Sequence, residues 1–256
     1  MHSPDELKDL VEERLGRLDL WPELHGQAAS VRYSLEVGGK RVRPVIALAV
    51  GEALGAPVEQ VLPAALAIEL VHTFSLVHDD LPAMDDDDER RGHPSTWRKF
   101  GEGVGVLAGD ALLAEAFRLT ARYERSAVAR ELAEATLGMI GGQYLDTMVE
   151  GYDLAAVHRL KTGRLFYASV TMALWAAELP EGKQAPWRVF AEELGLLFQI
   201  VDDILDDDGY VSEHGSEGAR RYADEAAERA RERLAKVDAE TSVLREIVDS
   251  LAVRTA

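Results

Sequence analysis

The amino-acid sequence predicts an all-α protein built as one large helical bundle. Apolar residues recur at three- and four-residue steps through most of the 256 residues. Several segments, such as ALAIELVHTFSLV and FAEELGLLFQIV, are apolar on almost every face, which is typical of helices inside a large bundle. No stretch alternates with period two for long enough to suggest a sheet.

The connections between the helices predict a single domain over residues 1–256. Gly and Pro interrupt the helical pattern at positions 38–39, 44, 82, 94, 180 and 209, without a long linker or a fixed-period repeat. The segment after Gly218, ARRYADEAAERARERLAKV, has the charge pattern of an amphipathic helix that packs against the bundle.

The composition excludes several classes of protein. Cysteine is absent, so no disulfide framework and no thiolate zinc site is expected, which fits the cytoplasm. The first residues lack the apolar core of a signal peptide, and uninterrupted apolar runs such as VIALAV are too short for a membrane span. The formal net charge of −18 disfavours nucleic acid as a partner.

Basic residues occur in two motifs. GGKRVRP contains Lys40 and Arg43 after two glycines, and Pro44 is well placed as the first residue of the next helix. Lys40 and Arg43 would then lie at a helix N-terminus, which favours phosphate. Arg90 and Arg91 follow an acidic cluster directly. Both groups of basic residues flank acidic residues that, as described next, are candidate metal ligands. We therefore interpret the basic residues as phosphate-binding rather than as a surface patch.

Two acidic clusters each follow an apolar helix: HDDLPAMDDDDERRG and FQIVDDILDDDG. Pro82 and Gly209 place them near helix C-termini, where the dipole disfavours each carboxylate by ~0.3–1 kcal/mol, and neighbouring carboxylates also repel one another. Asp202 and Asp206 share a helix face and can bind one ion. The clusters therefore predict a hard divalent cation, Mg²⁺ above all where phosphates join the coordination sphere, rather than solvated helix ends.

Two other polar sites interrupt apolar sequence. Lys161 and Thr162 lie in LKTG, and Gln199 precedes Asp202 by three residues on the same helix face. The pattern alone is equally compatible with a lysine that extends its amine to the surface and with a hydrogen-bonded core amide at position 199.

These features together predict a reaction in which an allylic diphosphate ionises and condenses. Cations held by opposed carboxylates, with separate basic groups, describe a site for two diphosphates, and the apolar helices leave room for hydrocarbon. Metal ions make a diphosphate a leaving group. The carbocation that remains needs a pocket that excludes water and offers only dipoles. No Ser/His/Asp triad, nucleotide loop or HExxH motif suggests another chemistry.

From about Val31 to Asp206 the sequence resembles the polyprenyl synthetase family, the class I trans-isoprenyl diphosphate synthases, in particular bacterial farnesyl and geranylgeranyl diphosphate synthases. The motifs GGKRVRP, HDDLPAMDDDDERRG, LAGDALL, GGQYLD, LKTG and FQIVDDILD occur in the family's order. The resemblance implies an isoprenoid-synthase-type bundle of about ten helices around a deep central cavity, a cytoplasmic homodimer, and dependence on Mg²⁺, which Mn²⁺ can replace. It implies condensation of isopentenyl diphosphate with an allylic diphosphate.

The resemblance also implies roles for single residues. The implied metal ligands lie in the two acidic clusters: Asp79, Asp80, Asp85, Asp202, Asp203 and Asp206. The implied ligands of isopentenyl diphosphate are Lys40, Arg43, His72 and Arg91. The implied contacts to the allylic diphosphate are Arg90 and Lys161. Thr162 and Gln199 match groups near the developing cation, and Gln143 and Asp146 match residues that line the cavity.

The length of the product is implied by Phe74. This residue lies five positions before Asp79, so its side chain can lie below the diphosphate site. In the family an aromatic residue here accompanies short products, which predicts farnesyl diphosphate first and geranylgeranyl diphosphate second. The alternative is that Phe74 is only a core residue.

One departure from the family concerns the segment after the second acidic cluster. The family has a glycine-rich loop with lysines there, whereas this chain continues directly to the last predicted helix, with no lysine between Lys183 and Lys236. Two explanations stay open, a true loss of the loop and a loop left out of the sequence; a true loss predicts weaker diphosphate binding. The missing lysine loop also leaves open the alternative that the chain is an inactive partner subunit of a heteromeric synthase. A class I terpene cyclase is the other alternative, although cyclases lack GGKRxRP and the second aspartate motif.

Overall fold

The structure, a computed structural model, describes residues 1–149, 151, 157 and 159–253, and these residues form eleven α-helices with short connections. The helices are α1 (Pro4–Gly16), α2 (Ala28–Glu36), α3 (Val42–Ala53), α4 (Val58–Asp79), α5 (Thr96–Phe100), α6 (Glu102–Thr120), α7 (Ala127–Met148), α8 (Arg164–Ala176), α9 (Ala185–Asp206), α10 (Tyr210–Leu234) and α11 (Ser242–Val253). The all-α prediction is confirmed.

Short irregular elements join the helices. Two 3₁₀ turns occupy Pro22–Gln27 and Glu181–Lys183, and a π-helical turn occupies Arg159–Gly163. A small antiparallel hairpin pairs β1 (Glu89–Arg90) with β2 (His93–Pro94). Each strand has two residues, too few for a period-two pattern to appear in the sequence.

Helix α4 lies in the middle of the bundle, where it packs against α3, α6 and α8. By length and composition it is the one helix among the described residues that could cross a membrane, but 72% of its apolar stretch is buried inside the protein. The sequence prediction considered only uninterrupted apolar runs. Glu69 and His72 interrupt the apolar sequence of α4, so this helix was not recognised as long enough. It is a core helix by its burial.

The hydroxyl of Tyr123 completes the hydrogen bonding of α4 beside Pro63, a residue inside the helix that has no N–H group. It accepts a hydrogen bond from the Ala64 N–H (3.1 Å) and donates one to the Gln60 carbonyl (2.8 Å). Burial raises the pKa of Tyr123 to about 12. The first turns of α4 are thereby fixed to the segment that follows α6.

Arg41 is a structural residue of the GGKRVRP motif. It precedes α3 with a left-handed backbone (φ 50°), so α3 begins at Val42, and Pro44 is its third residue rather than its first as predicted. The buried guanidinium donates to Glu69 (2.6 Å) and to Glu12 (2.9 Å). This ion pair joins α1, α3 and α4, and removing one partner of such a buried pair costs ~3–5 kcal/mol.

The C-terminal part of the chain forms a helical hairpin against the bundle. Helix α10 packs on α9 through buried small residues, among them Ala223, Ala226 and Ala230. It begins earlier than predicted, after a connection of three residues from α9, and its helical geometry is broken at Gly215 (φ 70°). It is also not the last helix, because α11 follows it.

Candidate active site

A cavity of about 670 Å³ opens among the central helices. Its polar lining includes Arg43, Asp79, Lys161, Thr162 and Asp202. Its apolar lining includes Phe74, Leu81, Met139, Ile140 and Leu165. The cavity therefore combines charged groups with a hydrocarbon-compatible wall, as the sequence predicted.

Asp79, the last residue of α4, brings the first acidic cluster to the cavity. The chain then turns back, and the Asp85 N–H donates to the Asp79 carbonyl at 2.9 Å. Asp86 makes this turn possible with a left-handed backbone (φ 55°). Burial raises the pKa of Asp79 to about 6; the charge of Lys161 opposes this shift and the charge of Asp85 adds to it. The surrounding protein therefore disfavours the ionised form of the Asp79 carboxylate relative to its form in water.

Asp202 brings the second acidic cluster to the same cavity. Burial raises the pKa of Asp202, and the charge of Asp206, one turn later on α9, raises it further, while Arg43 opposes the shift. Among the described residues no group of three side chains is already arranged to hold a metal ion. The donor chemistry nevertheless fits Mg²⁺, which binds through one or two carboxylates together with waters and substrate phosphates.

Asp80 and Asp203 turn away from the cavity into the protein. Asp80 accepts a hydrogen bond from Arg90 Nε at 2.9 Å. Asp203 accepts from the Gln199 amide (2.5 Å) and from the Tyr210 N–H (2.9 Å). Protein donors thus occupy oxygens that the sequence assigned to a metal, and both residues stay predicted ligands without direct support.

Positive charge is concentrated beside the acidic clusters. The Arg43 guanidinium lies over the Phe166 ring, 4.3 Å from its centroid, and its buried Nε has no hydrogen-bond partner in the described structure. Burial lowers the pKa of Arg43 to about 10. Burial, followed by the charges of Arg43 and Arg91, holds the pKa of His72 well below its usual value. A neutral imidazole beside two guanidinium groups is suited to a bound anion.

The glycines of GGKRVRP allow Arg91 to approach. A Cβ atom on Gly39 would lie 2.7 Å from the Arg91 Nη1 atom, so a larger residue would displace this guanidinium. Lys40, by contrast, is exposed and lines a separate surface depression with Val42 and Val45. Its charge still acts on Asp202. The structure therefore brings Arg43, but not the Lys40 side chain, into the main cavity.

The π-helical turn places Lys161 and Thr162 in the cavity wall. Lys161 Nζ donates to Asp146 at 2.6 Å. A Cβ atom on Gly142 would lie 2.5 Å from the Lys161 backbone nitrogen, so glycine lets α7 approach this turn. Single π-helical turns occur frequently at functional sites.

An unpaired amide group lies in the same cavity. Neither amide atom of Gln143 has a hydrogen-bond partner within the described ranges. Gln199 Oε1 also lacks a partner there, but Gln199 lines a separate cavity with Gly195 and Tyr210 rather than this one. Buried polar groups are normally paired, so unpaired ones call for an explanation such as a missing ligand. Gln143 itself lines the cavity.

Sequence reasoning missed several residues of the site. The Phe166 ring packs against the Arg43 guanidinium. His78, Tyr144 and Met148 line the cavity. In the sequence Phe166 and Met148 are indistinguishable from core residues of an amphipathic helix. His78 precedes Asp79 directly, and that position was the one available signal.

Comparison with known proteins gives concordant results. Residues 27–219 match the family described as polyprenyl synthetase. The chain is 36% identical to the farnesyl diphosphate synthase of Bacillus subtilis, covering 88% of each chain. It is 45% identical to the heterodimeric geranylgeranyl pyrophosphate synthase large subunit 1 of Arabidopsis thaliana, over 69% of this chain and 53% of that protein. The solved geranyltransferase of Legionella pneumophila superposes with a TM-score of 0.87 at 29% identity, covering 98% of this chain and 96% of that one.

Proposed function

This chain belongs to the polyprenyl synthetase family, and we propose that it condenses isopentenyl diphosphate with an allylic diphosphate to give a short-chain prenyl diphosphate. The observation that carries this proposal is the meeting of Asp79, Asp202 and Arg43 at one apolar cavity of about 670 Å³. Oxygen-rich anions satisfy the buried guanidinium, and the apolar wall accepts a prenyl chain.

We propose Mg²⁺ as the metal of this site. Asp79, Asp85, Asp202 and Asp206 would hold it together with the substrate's oxygens, because their mutual repulsion and burial disfavour the ionised carboxylates in its absence. When bound, the metal neutralises the allylic diphosphate and so makes it a better leaving group.

Side chains of the protein bind the two substrates, stabilise the carbocation and exclude water. Arg43, His72 and Arg91 bind the isopentenyl diphosphate, and Lys161 and Arg90 contact the allylic diphosphate. The amide of Gln143 and the hydroxyl of Thr162 offer dipoles rather than nucleophiles to the allylic carbocation. The apolar wall keeps water away, so the cation is captured by the double bond of isopentenyl diphosphate instead of being hydrolysed. The new bond leaves a tertiary cation, which loses a proton to the released diphosphate and so forms the double bond of the product.

The direct test is incubation of the purified protein with Mg²⁺, isopentenyl diphosphate and, in turn, dimethylallyl, geranyl or farnesyl diphosphate. We expect a prenyl diphosphate longer than the added primer. Failure to elongate any primer would overturn the proposal and favour the inactive partner subunit of a heteromeric synthase. Cyclic hydrocarbons without elongation would favour the terpene cyclase.

Phe74 sets the length of the product in this proposal. It lines the cavity from α4 and is only 6% exposed. Phe74→Ala is expected to deepen the cavity and to lengthen the main product from farnesyl diphosphate by one or more isoprene units, measured by chromatography of the dephosphorylated products. Val71→Ala is the matched control, since Val71 is fully buried one turn earlier and does not line the cavity. An active Phe74→Ala enzyme with unchanged products would contradict this role.

We also propose that the enzyme is a homodimer joined through α6 and α7. Leu137 is 69% exposed on α7 outside the cavity, and Ile140, Tyr144 and Met148, which line the cavity, continue the same helix face at 45–61% exposure. An apolar stripe of this kind marks an interaction surface. Leu107, on the neighbouring helix α6, is also exposed (56%) and lies outside the cavity lining.

Leu137→Glu is expected to convert the dimer to a monomer, because the charge would have to be buried in the interface. Leu137 does not line the cavity, so the change separates assembly from substrate contact. Light scattering after size exclusion measures the mass. Val253→Glu, at a 70% exposed position on α11, is the control. A dimeric Leu137→Glu variant would place the interface elsewhere.

A further inference from the structure

Phe74 shares its face of the cavity with a second ring. His78 lies one turn later on α4 and also lines the cavity. The two rings meet edge to face, with centroids 5.0 Å apart and planes at 75°. The ring of His78 therefore limits where the Phe74 ring can move.

Helix α6 fixes the His78 ring from the other side. His78 Nε2 lies 3.0 Å from the Val106 carbonyl oxygen, so this nitrogen carries a hydrogen and donates it. Val106 itself lines the cavity. The bond connects α4 and α6 at the cavity wall and fixes the orientation of the imidazole.

Gly109 makes room for this arrangement. It lies in the LAGDALL motif, for which the reaction gives no explanation, one turn after Val106. A Cβ atom at this position would lie 2.1 Å from His78 Nε2 and 2.3 Å from its Cδ2. Any side chain on residue 109 would therefore push the imidazole out of its place.

We propose that His78 is a positioning residue for product length, which holds the Phe74 ring across the cavity while Gly109 provides the space for its own ring. The growing chain then meets two coupled rings rather than one freely moving phenyl group. This inference rests on the proposed function, because it assigns a determinant of specificity to the same cavity.

The first experiment measures the products of His78→Ala and His78→Gln with geranyl diphosphate as primer. Both variants lack the ring, and glutamine retains a side-chain donor. We expect the ratio of geranylgeranyl to farnesyl diphosphate to rise roughly tenfold or more in both, the scale on which small changes in an apolar pocket alter selectivity. Unchanged product ratios in the active variants would overturn the proposal. A shift in His78→Ala but not in His78→Gln would also contradict a role for the ring, because it would assign the effect to the hydrogen bond with Val106.

The second experiment tests the contact independently of catalysis. Gly109→Ala is expected to lower the melting temperature, and this loss should be much smaller in the His78→Ala background, because contacting residues are not additive. Gly103→Ala is the matched control on α6, where a Cβ atom would meet nothing within 4 Å. Additive effects of the two substitutions would overturn the contact. If the wild-type protein elongates no primer, the proposed function fails, whereas this melting experiment still decides whether the two residues are coupled.

Discussion

Asp79→Ala and Asp202→Ala are each expected to lower turnover by roughly 10²- to 10³-fold, since several kcal/mol of electrostatic stabilisation at the leaving group are removed. Steady-state rates at saturating Mg²⁺ measure the effect. Asp88→Ala is the control, because Asp88 belongs to the first cluster but is 62% exposed and pairs with Arg98. Asp207→Asn serves the same purpose in the second cluster, because asparagine tolerates the left-handed backbone of this position (φ 57°). Near-normal turnover in Asp79→Ala or Asp202→Ala would remove the metal proposal.

The stability of an Asp79 variant should change in the opposite direction. Burial raises the pKa of Asp79 to about 6 from an ordinary value of 3.8. A carboxyl whose pKa is higher in the folded state lowers stability progressively as pH rises from about 3.8 to about 6, and the cost is full above that range. Asp79→Asn should therefore melt at the same or a higher temperature than the wild type at pH 7.5 without metal. A clear fall in melting temperature would mean that Asp79 supports the fold, and its activity loss could not be assigned to chemistry.

Arg43→Ala is expected to raise the Michaelis constant for isopentenyl diphosphate ten- to hundredfold. Hydrogen bonds to charged groups contribute ~1.5–3 kcal/mol, and the guanidinium already lies desolvated on Phe166 without a partner for Nε. Turnover at saturation should change less, because this group binds a substrate rather than the leaving group.

Arg43→Lys distinguishes charge from shape. Lysine retains the positive charge but has neither the planar fork nor the stacking surface of arginine. We expect an intermediate Michaelis constant. Lys40→Ala should have a smaller effect than Arg43→Ala, since Lys40 is exposed and outside the main cavity. A constant that is unchanged in Arg43→Ala would contradict the assignment of this residue.

Much of this fold and site could be predicted because the relevant signals are local. The period of apolar residues predicted the helices, and Pro82 and Gly209 placed the acidic clusters at helix ends, where α4 and α9 do end. Asp79 and Asp202, the first residues of the two clusters, lie in the last turns of these helices and line the cavity.

The remaining features depend on tertiary contacts that a pattern does not contain. The sequence alone does not distinguish Arg41, buried against Glu69, from Arg43, whose Nε is unpaired. The direction of Asp80 depends on a hairpin of two-residue strands that places Arg90 beside it. The exposure of Lys40 depends on a helix that begins two residues earlier than its proline indicates.

Hydrogen bonds to Asp203 connect the C-terminal hairpin to the site. Its carboxylate holds both the Gln199 amide and the first N–H of α10. A ligand that took the Oδ2 lone pair now used by Tyr210 would compete with the first N–H of α10. Opening of this helix end and ligand binding at Asp203 would then be linked. A substitution in the first turn of α10 could therefore alter catalysis without touching a substrate.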